Sequence, residues 1–164
     1  MYPFSGDTTI QKSLSIKNRG NDIPRAGGGL ASYTDIITVR SKNRMEVIDI
    51  TDLVENSVRK SGISSGICLI HLPHATAALI ANENESGLIR DIIRKIREEF
   101  VREGWEHDKI DDNAHAHIAS SFIGASRAFP VVSGRLMRGT WQNLMLVELD
   151  GRRERKVVIT VVGD

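Results

Sequence analysis

The sequence predicts an α+β domain, because three segments have apolar residues at helical spacing and most of the other ordered segments have the residue pattern of β-strands. Apolar residues recur at helical spacing in 51–62, 86–101 and 113–123. The other ordered segments are rich in β-branched residues and are separated by turn residues; they are 9–18, 34–41, 45–50, 65–83, 128–134, 140–150 and 155–163. At 164 residues the chain is long enough to bury its own core.

The first third of the chain divides into an arm and the start of a domain. Residues 1–33 are predicted to be an N-terminal arm, with a strand over 9–18 and a loop over 19–32 that holds Pro24 and three consecutive glycines. Residues 34–164 are predicted to form a single domain. Its first two strands, 34–41 and 45–50, are separated by three turn residues and predict a hairpin.

The middle of the chain alternates between helix and strand. Gly62 ends the first helix, and 65–83 is a strand interrupted at Pro73, because proline cannot donate to a central ladder. Within this strand Cys68 is predicted to be a small buried core residue. The longest helix, 86–101, has one broad apolar face. Glu83 and Asp91 lie near its start, where carboxylates suit the helix dipole and also leave room for a catalytic role.

The segment 105–124 holds three of the five histidines and is predicted to contain a helix over 113–123. Asp112 is a suitable N-cap and Gly124 a suitable C-terminal residue. Ala114, Ile118 and Phe122 follow at four-residue steps, so we expect them to form the core stripe.

The three histidines of this segment divide into a pair and a bystander. His117 lies beside the apolar stripe, whereas His115 is roughly 200° around the axis from it, so these two cannot share one ion. His107 precedes the helix and can fold back over its start. The pair that could bind one ion together is therefore His107 with His117, and His115 is expected to be solvated or packed.

The C-terminal third is predicted to be β structure. In 140–150 neither alternating face is cleanly polar, which indicates packing of sheet against sheet or against a neighbouring subunit. Asp150 and Gly151 are typical of a turn and predict a terminal hairpin between 140–150 and 155–163.

Composition excludes several classes of function. The net charge of +1, from 22 basic and 21 acidic residues, gives no electrostatic case for nucleic acid as a partner. No apolar run reaches membrane-spanning length, and the first residues lack the pattern of a signal peptide. One cysteine excludes an internal disulfide framework. We therefore expect a soluble, cytoplasmic protein.

Four separated motifs together resemble the YjbQ family, also known as UPF0047, whose members are often labelled secondary thiamine-phosphate synthase enzymes. These motifs are PHATAALIANEN, the H-x5-N-A-x-A-H arrangement from His107 to His117, GTWQNLMLVELDG and the final RKVVITVVG. The resemblance covers about residues 34–163. It implies a mixed, largely antiparallel β-sheet curled into a sandwich with about three helices, usually assembled as a homotrimer.

The resemblance also implies a metal pocket built from His74, His107 and His117. Three neutral imidazoles leave a coordination position open, which is typical of a catalytic zinc site; manganese, iron and nickel are alternatives. Two motifs depart from the family: its His-Thr-Thr reads HAT from His74, and its Asp-Gly-Pro-Arg reads DGRR from Asp150. Neither departure removes a proposed ligand.

These residues lead to a functional expectation. We expect a metal-dependent enzyme acting on a small phosphorylated compound, either thiamine-phosphate synthase-like or a hydrolase. The alternative is a non-catalytic metal-binding or anion-sensing oligomer. Asn113 is predicted to donate to a bound oxygen, and Glu83 or Asp91 to orient an imidazole or move a proton. The candidates for contact with a phosphate-bearing substrate are Thr76, Gln142 and Arg153.

Overall fold

The computed structural model describes residues 11–18, as backbone, and 29–164. The predicted α+β class with three helices is confirmed, whereas most of the predicted loop 19–32 lies outside the described residues. In chain order the elements are β1 Gln11–Asn18, β2 Ala31–Arg40, β3 Glu46–Asp49, α1 Thr51–Ser61, β4 Ser65–His71, β5 Ala77–Asn82, α2 Ser86–Phe100, a 3₁₀ turn Glu106–Lys109, α3 Ala114–Ile123, β6 Ser126–Val132, β7 Arg135–Leu136, β8 Asn143–Glu148 and β9 Glu154–Gly163.

The described strands form two sheets. The six-stranded sheet has the order β1-β2-β9-β4-β6-β7, and the three-stranded sheet has the order β3-β8-β5. Every described strand pair is antiparallel. The predicted break at Pro73 is where the chain leaves the six-stranded sheet after β4 and enters the three-stranded sheet at β5.

Both predicted hairpins are wrong. β2 pairs with β1 and β9, while β3 pairs with β8, so the turn between β2 and β3 carries the chain from one sheet to the other. The turn between β8 and β9 does the same. These two crossovers bond to each other instead, since Ser41 N–H donates to the Arg153 carbonyl at 3.0 Å and Gly151 N–H donates to the Arg44 carbonyl at 2.9 Å.

Two apolar clusters fill the space between the layers. The larger one lies between the two sheets and includes Val54 and Val58 of α1; the smaller one joins the three-stranded sheet to α2 and α3. β8 contributes to both, with Leu144 and Leu146 in the first cluster and Val147 in the second. This explains why neither face of 140–150 has a polar pattern: β8 is buried on both sides.

The predicted core stripe of α3 is confirmed only at Ala114 and is wrong at Phe122, which is 79% exposed. The other buried residues of this helix include Ala116, Ala119 and Ser120. The helix turns its face of small residues towards β5, where the Ser120 hydroxyl donates to the Ala77 carbonyl at 2.8 Å. Phe122 contacts Phe100 of α2, with ring centroids 5.7 Å apart.

The predicted N-cap of α3 is also corrected. Asp112 is exposed, and the N-cap position is Asn113, which makes no side-chain cap bond. The first helical N–H, that of Ala114, instead donates to Asp108 Oδ1 at 3.0 Å. Since Asp108 belongs to the 3₁₀ turn, this bond fixes the turn against the helix start.

No helix among the described residues has the length and apolarity needed to span a membrane.

Candidate functional site

The predicted site residues that approach one another lie at one end of the three-stranded sheet. β5 and β8 run antiparallel, with Ala77 opposite Glu148 at this end and Asn82 opposite Asn143 at the other. The loop that leads into β5, the start of α3 and the crossover after β8 all meet near the Glu148 end. The site is therefore built from connections between elements.

His107 and His117 form a pair. Their ring centroids are 4.9 Å apart and the rings meet edge to face at 73°. His107 is exposed in the 3₁₀ turn and His117 is half-buried in α3, while His115 is buried at 8% exposure. The backbone of His107 is tied to the residues that follow it, because its carbonyl accepts from the Ile110 and Asp111 N–H groups at 2.9 and 3.1 Å.

His74 is bonded elsewhere. Its Nε2 accepts the backbone N–H of Lys156 at 2.8 Å, so the proton of the neutral ring lies on Nδ1. Burial lowers the pKa of His74, and the charge of Arg155 lowers it further. His74 is therefore a neutral ring whose Nε2 lone pair is already used by the start of β9.

The structure does not assemble the predicted three-histidine pocket. Within residues 29–164, no group of three or more His, Cys, Asp or Glu side chains stands close enough together to hold a metal ion. Two of the implied ligands, His107 and His117, are adjacent, and the third, His74, has its Nε2 turned to a backbone N–H. The residues fit part of a ligand set, and a metal role for them stays a prediction.

Asn113 carries the most unusual contacts of the site. Its Nδ2 donates to Asp111 Oδ2 at 3.1 Å and to Asp150 Oδ2 at 3.2 Å, whereas its Oδ1 is buried without a partner. Both amide protons are thus in use, so the side chain cannot also donate to a bound oxygen, as the sequence suggested. Its free group is an acceptor, which suits a hydroxyl, an amine or a cation.

A buried ion pair lies beneath these residues. Arg155 is 4% exposed and Glu148 is fully buried; Arg155 Nη2 donates to Glu148 Oε1 at 2.6 Å and Arg155 Nε to Oε2 at 2.8 Å. Arg155 Nη2 also donates to the Thr76 hydroxyl at 2.9 Å. Thr76, a predicted substrate contact, is therefore 8% exposed and held by the pair.

The same pair fixes the loop that follows β8. Glu148 Oε1 accepts the N–H groups of Leu149 and Asp150 at 3.0 and 2.9 Å. Burial opposes ionisation of Asp150, but hydrogen bonds from Arg153 and Asn113 outweigh it and hold the pKa of Asp150 below its ordinary value. A continuous set of bonds therefore runs from Thr76 through the ion pair to Asp150 and Asn113.

Two arginines lie at the rim of the site. Arg153 Nη2 donates to Asp150 Oδ2 at 2.8 Å, and Arg44 Nη2 donates to the Asp112 carbonyl at 2.8 Å. Both side chains are about half exposed, at 52% and 56%. Arg153 is thus the predicted substrate residue that stands at the site with its charge accessible.

The remaining predicted residues lie elsewhere. Glu83 follows Asn82, at the far end of β5 and roughly 17 Å of strand from Ala77. Asp91 is exposed on α2 and pairs with Arg94 at 2.8 Å. Gln142 precedes β8, where its Oε1 accepts the Gly139 N–H at 3.2 Å in a turn. The structure does not bring these three residues to the histidine pair.

Sequence reasoning missed the residues that organise the site, although a signal for them existed. Arg155 is separated by an even number of positions from Val157, Ile159 and Val161, which lie on the buried face of β9. The alternation of side chains along a strand would therefore have predicted Arg155 on the same face. Glu148 similarly ends a run of buried residues in β8. A charged residue at an inward position of each of two strands predicts a buried pair.

The fold and the site define a class: an α+β domain of two antiparallel sheets with a histidine pair and a buried ion pair beneath the loops at one end. A family model described as UPF0047 protein YjbQ-like matches residues 35–164. The chain belongs to the UPF0047 family.

Individual relatives agree with this assignment. A UPF0047 protein of Archaeoglobus fulgidus is 42% identical over 125 residues, which cover 75% of this chain and 96% of that protein. The UPF0047 protein YugU of Bacillus subtilis is 38% identical over 131 residues, covering 77% and 97%. The crystal structure of a YbjQ-like protein of unknown function from Sulfolobus solfataricus matches with a TM-score of 0.80 at 52% identity, over 83% of this chain and 100% of that one.

Proposed function

We propose that the chain is a metal-dependent enzyme that acts on a small phosphorylated compound at the Glu148 end of the three-stranded sheet. The observation that carries the proposal is the edge-to-face contact of His107 and His117, with ring centroids 4.9 Å apart. Two accessible imidazoles at this spacing are the beginning of a zinc-type ligand set. A bound divalent ion would supply positive charge for an anionic oxygen.

The groups around the pair suit a phosphorylated compound. Arg153 keeps a half-exposed guanidinium at the rim, and guanidinium binds phosphate oxygens through paired N–H donors. The unpartnered Oδ1 of Asn113 can accept from a hydroxyl or amine of the same compound. Transfer of the thiamine-phosphate synthase type is one reaction of this class: the thiazole nitrogen of a thiazole phosphate bonds to the methylene carbon of a hydroxymethylpyrimidine diphosphate, whose C–O bond breaks and releases pyrophosphate.

The alternative is a non-catalytic metal-binding or anion-sensing protein. One observation favours it: the carboxylates near the histidines already have structural partners. Asp108 accepts the Ala114 N–H, while Asp111 and Asp150 accept from Asn113. A general base would have to be released from such a bond before it could move a proton.

Isothermal titration of zinc and manganese into the protein, with matched variants, tests the metal site. We expect His107→Ala and His117→Ala each to lose binding by roughly a hundredfold, and binding to weaken on acidification because a protonated imidazole cannot coordinate. His71→Ala is the control, since His71 is an exposed histidine that bonds Ser126 at 2.8 Å. Unchanged binding in His117→Ala, or an equal loss in His71→Ala, would overturn the proposal.

Turnover separates the enzyme from its alternative. Release of phosphate or pyrophosphate is measured with and without added metal, using the two thiamine precursors and a panel of small phosphomonoesters. We expect metal-stimulated turnover that Arg153→Gln reduces, because this variant removes the accessible guanidinium. Metal binding without turnover on any of these compounds favours the non-catalytic protein.

We also propose that the protein forms a homotrimer through the outer face of the six-stranded sheet. On this face Ile67 lies between Pro130 and Val162 of the flanking strands. Ile67 is 59% exposed and Leu69 is 44% exposed, so two large neighbouring apolar side chains are open to solvent on this face of the single chain. Sedimentation velocity should give a trimer for the wild type and a smaller species for Leu69→Lys.

A further inference from the structure

A cavity lies on the opposite side of the three-stranded sheet from the larger core. It has a volume of about 420 Å³ and is formed by α2, the edge strand β5 and the end of α3. Four isoleucines, Ile80, Ile92, Ile96 and Ile123, give it an apolar lining. This volume falls in the range of about 300 to 1,000 Å³ that small-molecule sites occupy.

Two cationic side chains border this isoleucine groove, and no acidic side chain lines it. Arg127 Nη1 donates to the Ser126 carbonyl at 2.7 Å and Nη2 to the Ile123 carbonyl at 2.9 Å, both neutral acceptors. No described carboxylate lies within ion-pair distance of Arg127. Lys95 shares its charge with Glu99 at 2.6 Å. A half-buried guanidinium without a counter-ion beside an apolar wall selects for an anion.

The backbone of β5 adds a polar anchor. β5 is an edge strand, and Leu79 N–H donates on its free edge to the Gly124 carbonyl at 3.0 Å. Ala81 has the same parity and lies opposite Leu144, whose carbonyl accepts from Ile50 on the other side of β8. The N–H and carbonyl of Ala81 therefore lie on the free edge of β5, where no described residue bonds to them, and Ala81 is one of the residues that line the groove.

We propose that the isoleucine groove binds a small amphipathic carboxylate, with its apolar chain against the isoleucines and its carboxylate at Arg127. Lys95 adds positive charge at the mouth, and the Ala81 N–H is a further donor. The groove is distinct from the histidine site, because Asn113 and Ile123 lie at opposite ends of α3, roughly 15 Å apart.

Calorimetric titration with octanoate tests the site, with octan-1-ol and octylamine as neutral and cationic matches of equal chain length. We expect one octanoate per chain, and an affinity that falls about fourfold for each CH₂ removed in the series to butanoate. Arg127→Gln should weaken octanoate about tenfold, as loss of a charge-assisted bond does. Lys95→Gln should weaken it about twofold to threefold.

The matched control is Arg94→Gln, since Arg94 lies on α2 one position before Lys95 but pairs with Asp91 at 2.8 Å outside the groove. Octanoate binding to this variant should equal that of the wild type. In ¹⁵N-resolved spectra, octanoate but not acetate should shift the Ala81 amide. The proposal is overturned if octan-1-ol binds as tightly as octanoate, if octanoate does not saturate at millimolar concentration, or if Arg94→Gln weakens it as much as Arg127→Gln.

Discussion

Arg155→Met removes the buried cation that Glu148 faces. In the wild type Arg155 and Glu148 form two bonds, at 2.6 and 2.8 Å, and their side chains are 5% and 0% exposed. Without Arg155 the Glu148 carboxylate is left in the core with only the N–H groups of Leu149 and Asp150 as donors. Removing one partner of a buried ion pair costs about 3 to 5 kcal/mol, because the remaining charge is uncompensated.

A loss of this size is readily measured. For a chain of 164 residues each kcal/mol corresponds to about 2 to 4 °C in melting temperature, so we expect a decrease of roughly 6 to 20 °C. Urea unfolding followed by circular dichroism gives the free energy directly. The double variant Glu148→Gln with Arg155→Met removes both charges and keeps an oxygen acceptor for the two N–H groups. It should recover about 2 kcal/mol of the loss.

The control is the same substitution at Arg40, which forms an ion pair with Glu154 across the neighbouring strands β2 and β9. This pair is separated by 2.9 Å but its side chains are 47% and 49% exposed. Arg40→Met should therefore cost less than about 1 kcal/mol. A loss of stability in Arg155→Met no larger than that in Arg40→Met, or a further loss on adding Glu148→Gln, would refute the effect of an uncompensated buried charge.

Three other substitutions or reagents probe single sites. Burial lowers the pKa of His74 in the folded protein. As the pH drops through about 6.5, His74 is therefore protonated more readily in the unfolded chain than in the folded protein, and the free energy of unfolding should fall. His74→Gln keeps an acceptor for the Lys156 N–H, and its unfolding free energy, measured in urea at pH 7.5 and 5.5, should change less with pH than that of the wild type. An equal change in both proteins would contradict this expectation. Asp49→Ala should cost about 1 to 3 kcal/mol, because Asp49 accepts four hydrogen bonds, against a smaller loss for the exposed Asp52→Ala. Burial raises the pKa of Cys68 to about 12, so a thiol reagent should label it only in denaturant; rapid labelling of the native protein would refute its burial.

Local signals in the sequence predicted the elements well. The helix predicted over 86–101 spans Ser86–Phe100, the strand predicted over 9–18 spans Gln11–Asn18, and Cys68 is fully buried as expected. Each of these predictions depends on the spacing of apolar residues or on turn residues within one segment. Such patterns are sufficient because the backbone geometry of a helix or strand repeats along the chain.

Strand pairing and ring orientation were not predictable in this way. β9 pairs with β2 and β4, which are both distant in sequence, and not with the preceding strand β8. The turn residues Asp150 and Gly151 indicate where the chain reverses but not which strands pair. The helix geometry predicted His107 beside His117, and the structure brings them together. The direction of His74 instead depends on the N–H of Lys156, which lies 82 positions later.

The buried ion pair positions two loops, and this effect can be separated from its effect on stability. Arg155 bonds the Thr76 hydroxyl at 2.9 Å, while Glu148 bonds the Asp150 N–H at 2.9 Å, and Asp150 in turn holds Asn113. The desolvation of such a pair offsets much of its Coulomb attraction, so an uncharged double variant can regain stability without restoring the bond from Arg155 to Thr76. In Glu148→Gln with Arg155→Met, we therefore expect an altered amide shift for Thr76 in ¹⁵N-resolved spectra even where the unfolding free energy recovers. Asn113 should shift less, because the amide oxygen introduced at position 148 still accepts the Asp150 N–H. A wild-type shift at Thr76 would show that its loop is held by other contacts.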